Sequence, residues 1–319
     1  MRRDGGRLVS VVIPARDAAS SIRSVVSAVM AQQRPGVTIE VIVVDDHSAD
    51  ATAAEAARAG AWVLAVPPHV PGANPAAARN RGAGAASGDP LVFLDADCVP
   101  RAGWMDALLA AHDRGAVVVG GALAAPRGLP LTARCDYYCG SYHVHPARAA
   151  GPVPNHPPAN LSVRSAAFRS TAGFTEAHPV ADGHEELAWQ GALRAAGGRI
   201  EFEPRAVVEH HNRPGVGNLL RRNYRWGYSA IESKAATGAA RLAWLYRHPR
   251  LLLAAGIPFA LAHTAYTLAC WARAGVAEPL AMAPMVLGAR LAYAVGMMEG
   301  GLDWVRRSDT PRRSRPRWR

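Results

Sequence analysis

Pairs of carboxylates follow two apolar segments in the first third of the chain. Asp45 and Asp46 come directly after a β-branched run. Asp95 and Asp97 come after a second run, Leu91–Leu94. Two carboxylates separated by one residue can bind one hard cation such as Mg²⁺ or Mn²⁺, which also takes water and substrate phosphates as ligands. Alternatively, one carboxylate binds the metal and the other a ribose. A simpler alternative for Asp46 is that it only caps the helix that follows it.

Arg79 lies between the two carboxylate pairs, within the segment Ala78–Gly82. A guanidinium group can form paired hydrogen bonds with a pyrophosphate, so Arg79 is a candidate ligand for a nucleotide. The alternative is an arginine that is solvated at the surface and contributes little.

The segments around these side chains alternate between apolar runs and helical patterns. Strand–helix–strand repeats of this length predict right-handed crossovers and a mainly parallel α/β sheet with helices on both faces. In such a sheet, ligands bind beyond the carboxyl ends of the strands, which are here the loops after Ile13, Val44 and Leu94. The predicted strands are Val9–Ile13, Glu40–Val44, Ala61–Val66 and Leu91–Leu94, and the predicted helices are Ala18–Gln33, Ala51–Ala59 and Ala76–Ala86.

Periodicity is weaker in the middle of the chain. Residues 121–160 are rich in Pro, Gly and His, and we expect a lid or an acceptor loop there. A helical pattern returns at Glu185–Ala196, followed by strands at Ile200–Phe202 and Ala206–Glu209.

The composition is basic, with 36 Lys and Arg against 25 Asp and Glu and a formal net charge of +11 over 319 residues. A basic protein can bind nucleic acid, an anionic membrane or phosphate-bearing substrates. Acidic side chains at the predicted strand ends repel a phosphate backbone, so we expect no nucleic-acid partner. The four cysteines predict free thiols, because Cys135 and Cys139 alone are a weak metal pattern.

The C-terminal part is hydrophobic. Leu251–Ala272 contains no Asp, Glu, Lys or Arg and is long enough for a helix across a bilayer core of ~30 Å. A second apolar stretch, Pro279–Met298, contains Arg290. We expect a membrane hairpin that either spans the bilayer or lies on its surface, and the alternative is a soluble hairpin buried against the catalytic domain.

The predicted organisation follows from this change in composition. Arginines flank the hairpin and no signal peptide precedes the first strand, so we expect the catalytic part at the cytoplasmic face of the cell membrane. The predicted domains are a catalytic domain at 1–230, a basic helical linker at 231–250, the hydrophobic hairpin at 251–300 and an Arg-rich tail at 301–319.

Four short motifs occur in order along the predicted sheet, namely Ser10–Ala15, Val43–Asp50, Ala78–Gly82 and Phe93–Asp97. Together they resemble the ordered signature of family-2 glycosyltransferases, which are inverting enzymes with the GT-A fold. The resemblance covers about residues 8–230 and implies a nucleotide-sugar donor, a hydroxyl acceptor and a divalent metal, Mg²⁺ or Mn²⁺. It implies that the following residues face the base, the nucleotide or the sugar of the donor: Pro14, Ala15, Arg16, Asp45, Asp46, Arg79 and Asp95. It places Asp97 at the metal.

Later motifs of the family are matched with departures. Family members carry the catalytic base in a Glu-Asp pair ahead of Leu at a helix start, where this chain has Glu185 and Glu186. The resemblance therefore implies Glu185 as the base, with Glu186 and His184 as rivals. The alternative is that both glutamates only favour the first turn of a helix through its dipole. The resemblance also implies that His210, at a strand end, completes the metal site, although a surface or core histidine is the alternative.

Processive members carry Gln-x-x-Arg-Trp where this chain has Arg222–Trp226. The absence of the leading Gln argues against polymer synthesis. The resemblance implies that Arg225 and Trp226 contact the diphosphate and the acceptor.

The sequence therefore predicts an inverting glycosyltransferase in envelope or lipid-linked glycan synthesis, most simply a bacterial membrane-associated enzyme. A base takes the proton of the acceptor hydroxyl while a metal neutralises the departing diphosphate, so no second carboxylic acid is needed. One alternative is a nucleotidyltransferase-like protein, although a glycine-rich phosphate loop is missing after the first strand. The other is an inactive membrane protein that only binds nucleotide-sugars.

Overall fold

The computed structural model describes residues 6–70, 74–176, 184–237 and 248–309. Residues 238–247, half of the basic linker predicted at 231–250, lie outside these ranges, as does the end of the Arg-rich tail beyond residue 309.

A single nine-stranded sheet forms the centre of the described structure. Its order is β3-β2-β1-β4-β8-β6-β9-β5, and β7 pairs with β9 beside this path. The strands are β1 Arg7–Ala15, β2 Val37–Asp45, β3 Trp62–Ala65, β4 Leu91–Leu94, β5 Cys98–Pro100, β6 Val118–Ala124, β7 Gly151–Pro152, β8 Asn160–Val163 and β9 Ile200–His210.

Seven helices connect the strands of the sheet within the described ranges. They are α1 Ile22–Met30, α2 Thr52–Arg58, α3 Pro75–Ala85, α4 Trp104–Asp113, α5 Leu131–Gly140, α6 Ser165–Arg169 and α7 Leu187–Ala195. Two hydrophobic clusters cover the two faces of the sheet. Val11 and Ile13 of β1 belong to one cluster, and Val12 between them belongs to the other. This alternation explains why the strand reads as an unbroken apolar run.

The first half of the sheet is parallel, as the sequence predicts. β1 pairs in parallel with β2 on one side and with β4 on the other, and β2 pairs in parallel with β3. The carboxyl ends of β1, β2 and β4 therefore meet at one edge of the sheet, which we call the donor edge.

The second half of the sheet is mixed, which corrects the prediction of a mainly parallel sheet. β8 is antiparallel to both β4 and β6, and β9 is antiparallel to β5 and β7 but parallel to β6. The two strands predicted at Ile200–Phe202 and Ala206–Glu209 are one strand with a bulge. Glu203 pairs with Gly121 and Val207 with Ala122, so the Pro-containing residues between them bulge out of the ladder.

Residues 121–160, predicted as a lid or loop, contain regular structure. Helix α5 was not predicted because it is buried on several sides and shows no amphipathic period. Its buried positions include Cys135 and Cys139, which are free thiols as predicted.

The helical C-terminal region is present. It consists of α8 Val216–Thr237, α9 Pro249–Arg273, α10 Glu278–Ala281 and α11 Ala283–Asp309. Helices α8 and α11 cross with their backbones in contact. A methyl group at Gly227 would overlap the carbonyl oxygen of Tyr293, and one at Gly296 would overlap that of Tyr224. Glycine at these positions allows the close approach.

The prediction of a membrane-spanning helix at Leu251–Ala272 is not supported. Within the described ranges, the structure contains no helix of the length and apolarity that a bilayer crossing requires. The hairpin instead packs on the catalytic domain. Trp271 donates its indole N–H to the carbonyl oxygen of Tyr138 at 2.9 Å. Arg290, which weakened the second apolar stretch as a membrane segment, is buried and donates to the carbonyl oxygen of Cys139 at 2.6 Å and to Thr267 Oγ1 at 2.9 Å.

Candidate active site

The donor edge begins at the end of β1. Ala15 pairs with Asp45 of β2, and the backbone N–H of Asp46 donates to the carbonyl oxygen of Ala15 at 2.8 Å. Pro14 is the preceding residue of β1, while Arg16 lies just beyond the strand with an exposed side chain. These three residues therefore lie at the edge where the sequence predicts donor binding.

The two neighbouring aspartates at the end of β2 have different environments. Asp46 is buried, and its Oδ2 accepts the backbone N–H of Asn74 at 2.6 Å. Asn74 in turn caps α3 by accepting the N–H of Ala77 at 3.0 Å. Asp46 therefore fixes the start of α3, which differs from the predicted alternative of capping the next helix along the chain.

Asp45 retains an acceptor that faces no donor. Its Oδ1 is buried and has no hydrogen-bond partner in the part of the chain that the structure describes. Its Oδ2 accepts the backbone N–H of Ser48 at 3.4 Å. A buried acceptor without a partner is costly unless a ligand completes it, so Asp45 is better placed than Asp46 to accept a hydrogen bond from a base or a ribose.

Arg79 joins the donor edge to the start of α7. Its NH2 donates to Asp95 Oδ1 at 2.7 Å and its NH1 to Glu185 Oε1 at 2.5 Å. Only 4% of Arg79 is exposed. Burial lowers the pKa of this guanidinium, but the charges of Asp95 and Glu185 outweigh burial and raise it. We call these three residues the arginine bridge.

The arginine bridge changes the interpretation of Arg79. The sequence predicts that Arg79 faces the nucleotide and pairs with a pyrophosphate, which requires an available guanidinium fork. Both terminal nitrogens of Arg79 instead donate to protein carboxylates. Arg79 therefore positions Asp95 and Glu185. Its Nε is buried and has no hydrogen-bond partner in the described residues, so the contact of Arg79 with the nucleotide stays a prediction.

Asp97 and His210, predicted as the metal ligands, lie together. Cys98 of β5 pairs with His210 of β9, and this register brings Asp97 Oδ1 to 3.4 Å from His210 Nε2. Asp97, Cys98 and His210 are the one group in the described residues whose ligand atoms all lie within 4.8 Å of one another. The other ring nitrogen of His210, Nδ1, is buried and has no hydrogen-bond partner in this part of the chain.

The pKa values of Asp97 and Cys98 in this cluster are shifted in opposite directions. Burial raises the pKa of Asp97, but His210, Arg222 and Arg213 together lower it well below its usual range. Burial and the charge of Asp97 raise the pKa of the Cys98 thiol, which disfavours its thiolate form. We call Asp97 and His210 the metal pair. One carboxylate oxygen and one imidazole nitrogen fit a cation such as Mn²⁺, and they leave positions for phosphate oxygens and water.

The candidate bases lie at the start of α7. Glu185 and Glu186 are both buried, and Glu186 occupies the N-cap position without a side-chain capping hydrogen bond. His184 has a positive φ of 71°, and its Nδ1 lies 2.9 Å from Ser229 Oγ on α8. The interaction of His184 with Ser229 links α7 to α8.

Helix α8 contributes a residue that the sequence interpretation did not select. Arg225 and Trp226 were predicted to contact the diphosphate and the acceptor, and Arg225 is exposed while Trp226 is half-buried. Arg222 lies one turn earlier, and its guanidinium is 4.9 Å from the centre of the Trp226 ring. Arg222 also lowers the pKa of Asp97, so it is the arginine of this motif whose charge acts on the metal pair. The sequence did contain a signal for this residue, because Arg222 occupies the position of the Gln in the processive Gln-x-x-Arg-Trp pattern.

Solved structures show which fold class this arrangement belongs to. The mannosyltransferase PcManGT from Pyrobaculum calidifontis, in complex with GDP-Man and Mn²⁺, superposes with a TM-score of 0.60 at 21% identity, over 93% of this chain and 87% of that one. Glucosyl-3-phosphoglycerate synthase from Mycobacterium tuberculosis, in complex with Mn²⁺, uridine-diphosphate and glucosyl-3-phosphoglycerate, gives a TM-score of 0.51 at 22% identity, over 74% and 82%. The fold is therefore GT-A-like with a C-terminal helical region, as predicted.

Sequence comparison gives the family. Residues 10–142 match the model of glycosyl transferase family 2. The pre-mycofactocin glycosyltransferase of Mycobacterium tuberculosis is 33% identical over 260 residues, which are 75% of this chain and 52% of the relative. This chain thus spans about half the length of that relative. The chain belongs to glycosyl transferase family 2, as its motifs suggest.

Proposed function

We propose that this chain is an inverting, metal-dependent glycosyltransferase that moves a sugar from a nucleotide-sugar to a hydroxyl acceptor. The observation that carries the proposal is the metal pair, Asp97 with His210, placed directly after Asp95 of the arginine bridge. The family supports the reaction class, and the solved structures that share the fold were obtained with nucleotides or nucleotide-sugars and Mn²⁺.

The donor edge supplies the nucleotide-binding part of the proposed site. Asp45 accepts a hydrogen bond from the base or ribose through its buried Oδ1. Asp97 and His210 would hold the cation, which when bound would neutralise charge on the departing diphosphate. Asp95 is held in place by Arg79 and would face the reacting sugar.

A general base must gain a proton during the reaction, and this requirement distinguishes the two glutamates. Glu185 accepts a 2.5 Å hydrogen bond from Arg79, so its protonation would weaken a buried ion pair. We therefore place the base at Glu186, one residue beyond the choice made from the sequence. Glu186 would accept the proton of the acceptor hydroxyl as that oxygen attacks the anomeric carbon.

A single displacement needs only one such carboxylate. A retaining glycosidase-type site requires a second carboxyl group as acid or nucleophile facing the first. The neighbouring carboxylates Asp95 and Glu185 are both engaged by Arg79, which suits them to a positioning role. This supports inversion at the anomeric carbon.

For the acceptor, we propose a lipid-linked or envelope glycan at the cytoplasmic face of the membrane. Helix α9 presents large apolar side chains to solvent, with Ile257 67% exposed and Leu261 and Tyr266 also exposed. Leu291 and Val295 of α11 are exposed as well. Apolar faces on a chain with a net charge of +11 suit attachment to the surface of an anionic bilayer.

The first test is thermal stabilisation by UDP-, GDP- and dTDP-sugars in the presence of Mn²⁺. A ligand that binds the folded state raises the unfolding temperature by mass action. We expect one donor class to stabilise the protein with Mn²⁺ and less in EDTA. The same donor should then be turned over, and ¹H NMR of the product should show the opposite anomeric configuration. If no nucleotide-sugar stabilises the protein, the proposal is wrong.

A further inference from the structure

We propose that Arg222 of α8 is a second cationic ligand of the donor diphosphate, acting beside the metal pair. This inference rests on the proposed function, because it assigns a further binding residue to the same site. It moves the phosphate-binding role away from Arg79 and Arg225, to which the sequence interpretation had assigned it.

A buried carboxylate fixes the position of Arg222. Its NH1 donates to Asp136 Oδ2 at 2.9 Å, and Asn212 Nδ2 donates to the same oxygen at 2.7 Å. Asp136 and Asn212 are both buried. Asn212 lies two residues after His210, so the guanidinium is anchored to the segment that follows the metal pair.

One side of the Arg222 guanidinium is occupied by an aromatic ring. The Trp226 ring lies 4.9 Å from the guanidinium carbon, and Gly140 leaves room for that ring because a methyl group there would lie 2.7 Å from its edge. The Arg222 side chain is still 34% exposed, so the side chain as a whole is accessible from solvent. A guanidinium held at one nitrogen and stacked on one face is preorganised to donate its remaining N–H groups.

The surrounding charges explain why a cation is useful here. Burial lowers the pKa of Arg222, but Asp136, Asp97 and Asp95 outweigh burial and raise it. The site therefore contains several carboxylates and must accept a diphosphate, which is itself an anion. A permanent positive charge at Arg222 offsets this repulsion independently of the metal.

The other arginines are less suitable for this role. Both terminal nitrogens of Arg79 donate to protein carboxylates. Arg225 is exposed three residues further along α8, whereas Trp226 lies one full turn beyond Arg222 and packs on it. Arg222 also replaces the neutral Gln of the processive pattern, which adds one positive charge at this position.

The experiment measures binding of UDP, GDP and dTDP, each with Mn²⁺, to wild-type protein and to R222Q by isothermal titration calorimetry. For the diphosphate that wild type binds, we expect R222Q to weaken binding by roughly 10-fold to 100-fold, the effect of losing one charge-assisted contact. Binding of the corresponding monophosphate should change by less than about 3-fold, since the contact is with the second phosphate. R222K should give an intermediate loss, because it keeps the charge without the fork.

Further variants and a Mn²⁺ titration distinguish loss of the diphosphate contact from unfolding and from loss of metal binding. R221Q removes the exposed neighbouring arginine and should bind diphosphate as wild type does, while R225Q tests the original assignment. Mn²⁺ affinity in the absence of nucleotide should not fall in R222Q, because a positive charge near Asp97 has been removed. If R222Q unfolds, the double variant D136N/R222Q, which leaves no buried carboxylate unpaired, replaces it.

The outcomes are distinct. Failure of wild type to bind any of the three diphosphates would refute the proposed function itself. Normal diphosphate binding by R222Q, equal losses for the diphosphate and the monophosphate, or a parallel loss of Mn²⁺ affinity would overturn the role of Arg222 alone. A loss in R225Q without a loss in R222Q would return the role to Arg225.

Discussion

The two halves of the sheet position their functional side chains in different ways. In the parallel half, each functional carboxylate lies at the end of a strand. Asp45 is the last residue of β2, and Asp95 directly follows β4. In the mixed half, functional residues meet only through long-range packing. Asp97 meets His210 across the β5–β9 pair, and Glu185 reaches Arg79 from 106 positions away along the chain.

This difference explains how the site divides its tasks. Binding at the donor edge depends on strand ends that local sequence specifies. Placement of the base, the metal pair and Arg222 depends on how α7, α8 and β9 pack against the first half. We therefore expect changes in the mixed half to affect catalysis most, and changes in the parallel half to affect donor affinity.

The largest effect should come from the metal pair. Asp97→Ala removes the carboxylate of the pair, and we expect turnover with Mn²⁺ to fall by roughly 10³-fold or more. Asp45→Ala, in the parallel half, should mainly raise KM for the donor, by about 10-fold. Steady-state kinetics over donor concentration measure both. Asp106→Ala, at an exposed ion pair, is the control. Near-normal rates in Asp97→Ala would refute the metal assignment.

The next effect tests the assignment of the base. Glu186→Gln should leave donor binding intact and reduce transfer by about 10²-fold to 10⁴-fold, the usual contribution of general base catalysis. Single-turnover transfer rates and calorimetric donor binding distinguish the two effects. Glu185→Gln should instead lower stability, because Arg79 loses one of its two carboxylates. If Glu185→Gln stops transfer while Glu186→Gln does not, the choice made from the sequence was right.

Sequence patterns and structure agree best where the structure is local. β4 was predicted at its observed bounds, and Asp45 and Asp95 lie at strand ends as predicted, because β-branched runs and strand ends are short-range signals. The pairing of Arg79 with Glu185 was not predictable, because no sequence pattern indicates which distant glutamate an arginine contacts. Helix α5 was missed because it is buried on several sides, which removes the period that sequence patterns detect.

The arginine bridge connects the two halves, so breaking it should cost stability. Arg79→Met leaves Asp95 and Glu185 without their shared cation, and we expect a loss of about 3–5 kcal/mol, as for other buried ion pairs from which one partner is removed. Urea unfolding followed by circular dichroism measures the change. Arg58→Met, at an exposed arginine that pairs with Glu55, should leave the free energy of unfolding almost unchanged, because water screens an exposed ion pair. Equal losses in the two variants would mean that the bridge does not hold the halves together.

The smallest predicted change tests whether the C-terminal helices position α8. Gly227 adjoins Trp226, and a methyl group at Gly227 would overlap the backbone of α11 at Tyr293. Gly227→Ala should therefore force α8 and α11 apart, cost about 1–3 kcal/mol and weaken diphosphate binding through the displacement of Arg222. The same substitution at Gly217, on the same helix with open space around it, should do neither.

This pair of glycine variants distinguishes two roles for the hairpin. If the hairpin only attaches the protein to a surface, Gly227→Ala should lower stability without changing diphosphate affinity in solution. If α11 sets the position of α8, stability and diphosphate affinity should fall together. The loss of affinity should then be measurable while the protein is still fully folded. Calorimetric titration of UDP or GDP with Mn²⁺ at a temperature where both variants are fully folded decides between them. A joint loss would make the C-terminal region part of the active site, although its residues lie outside the segment 10–142 that matches the family model.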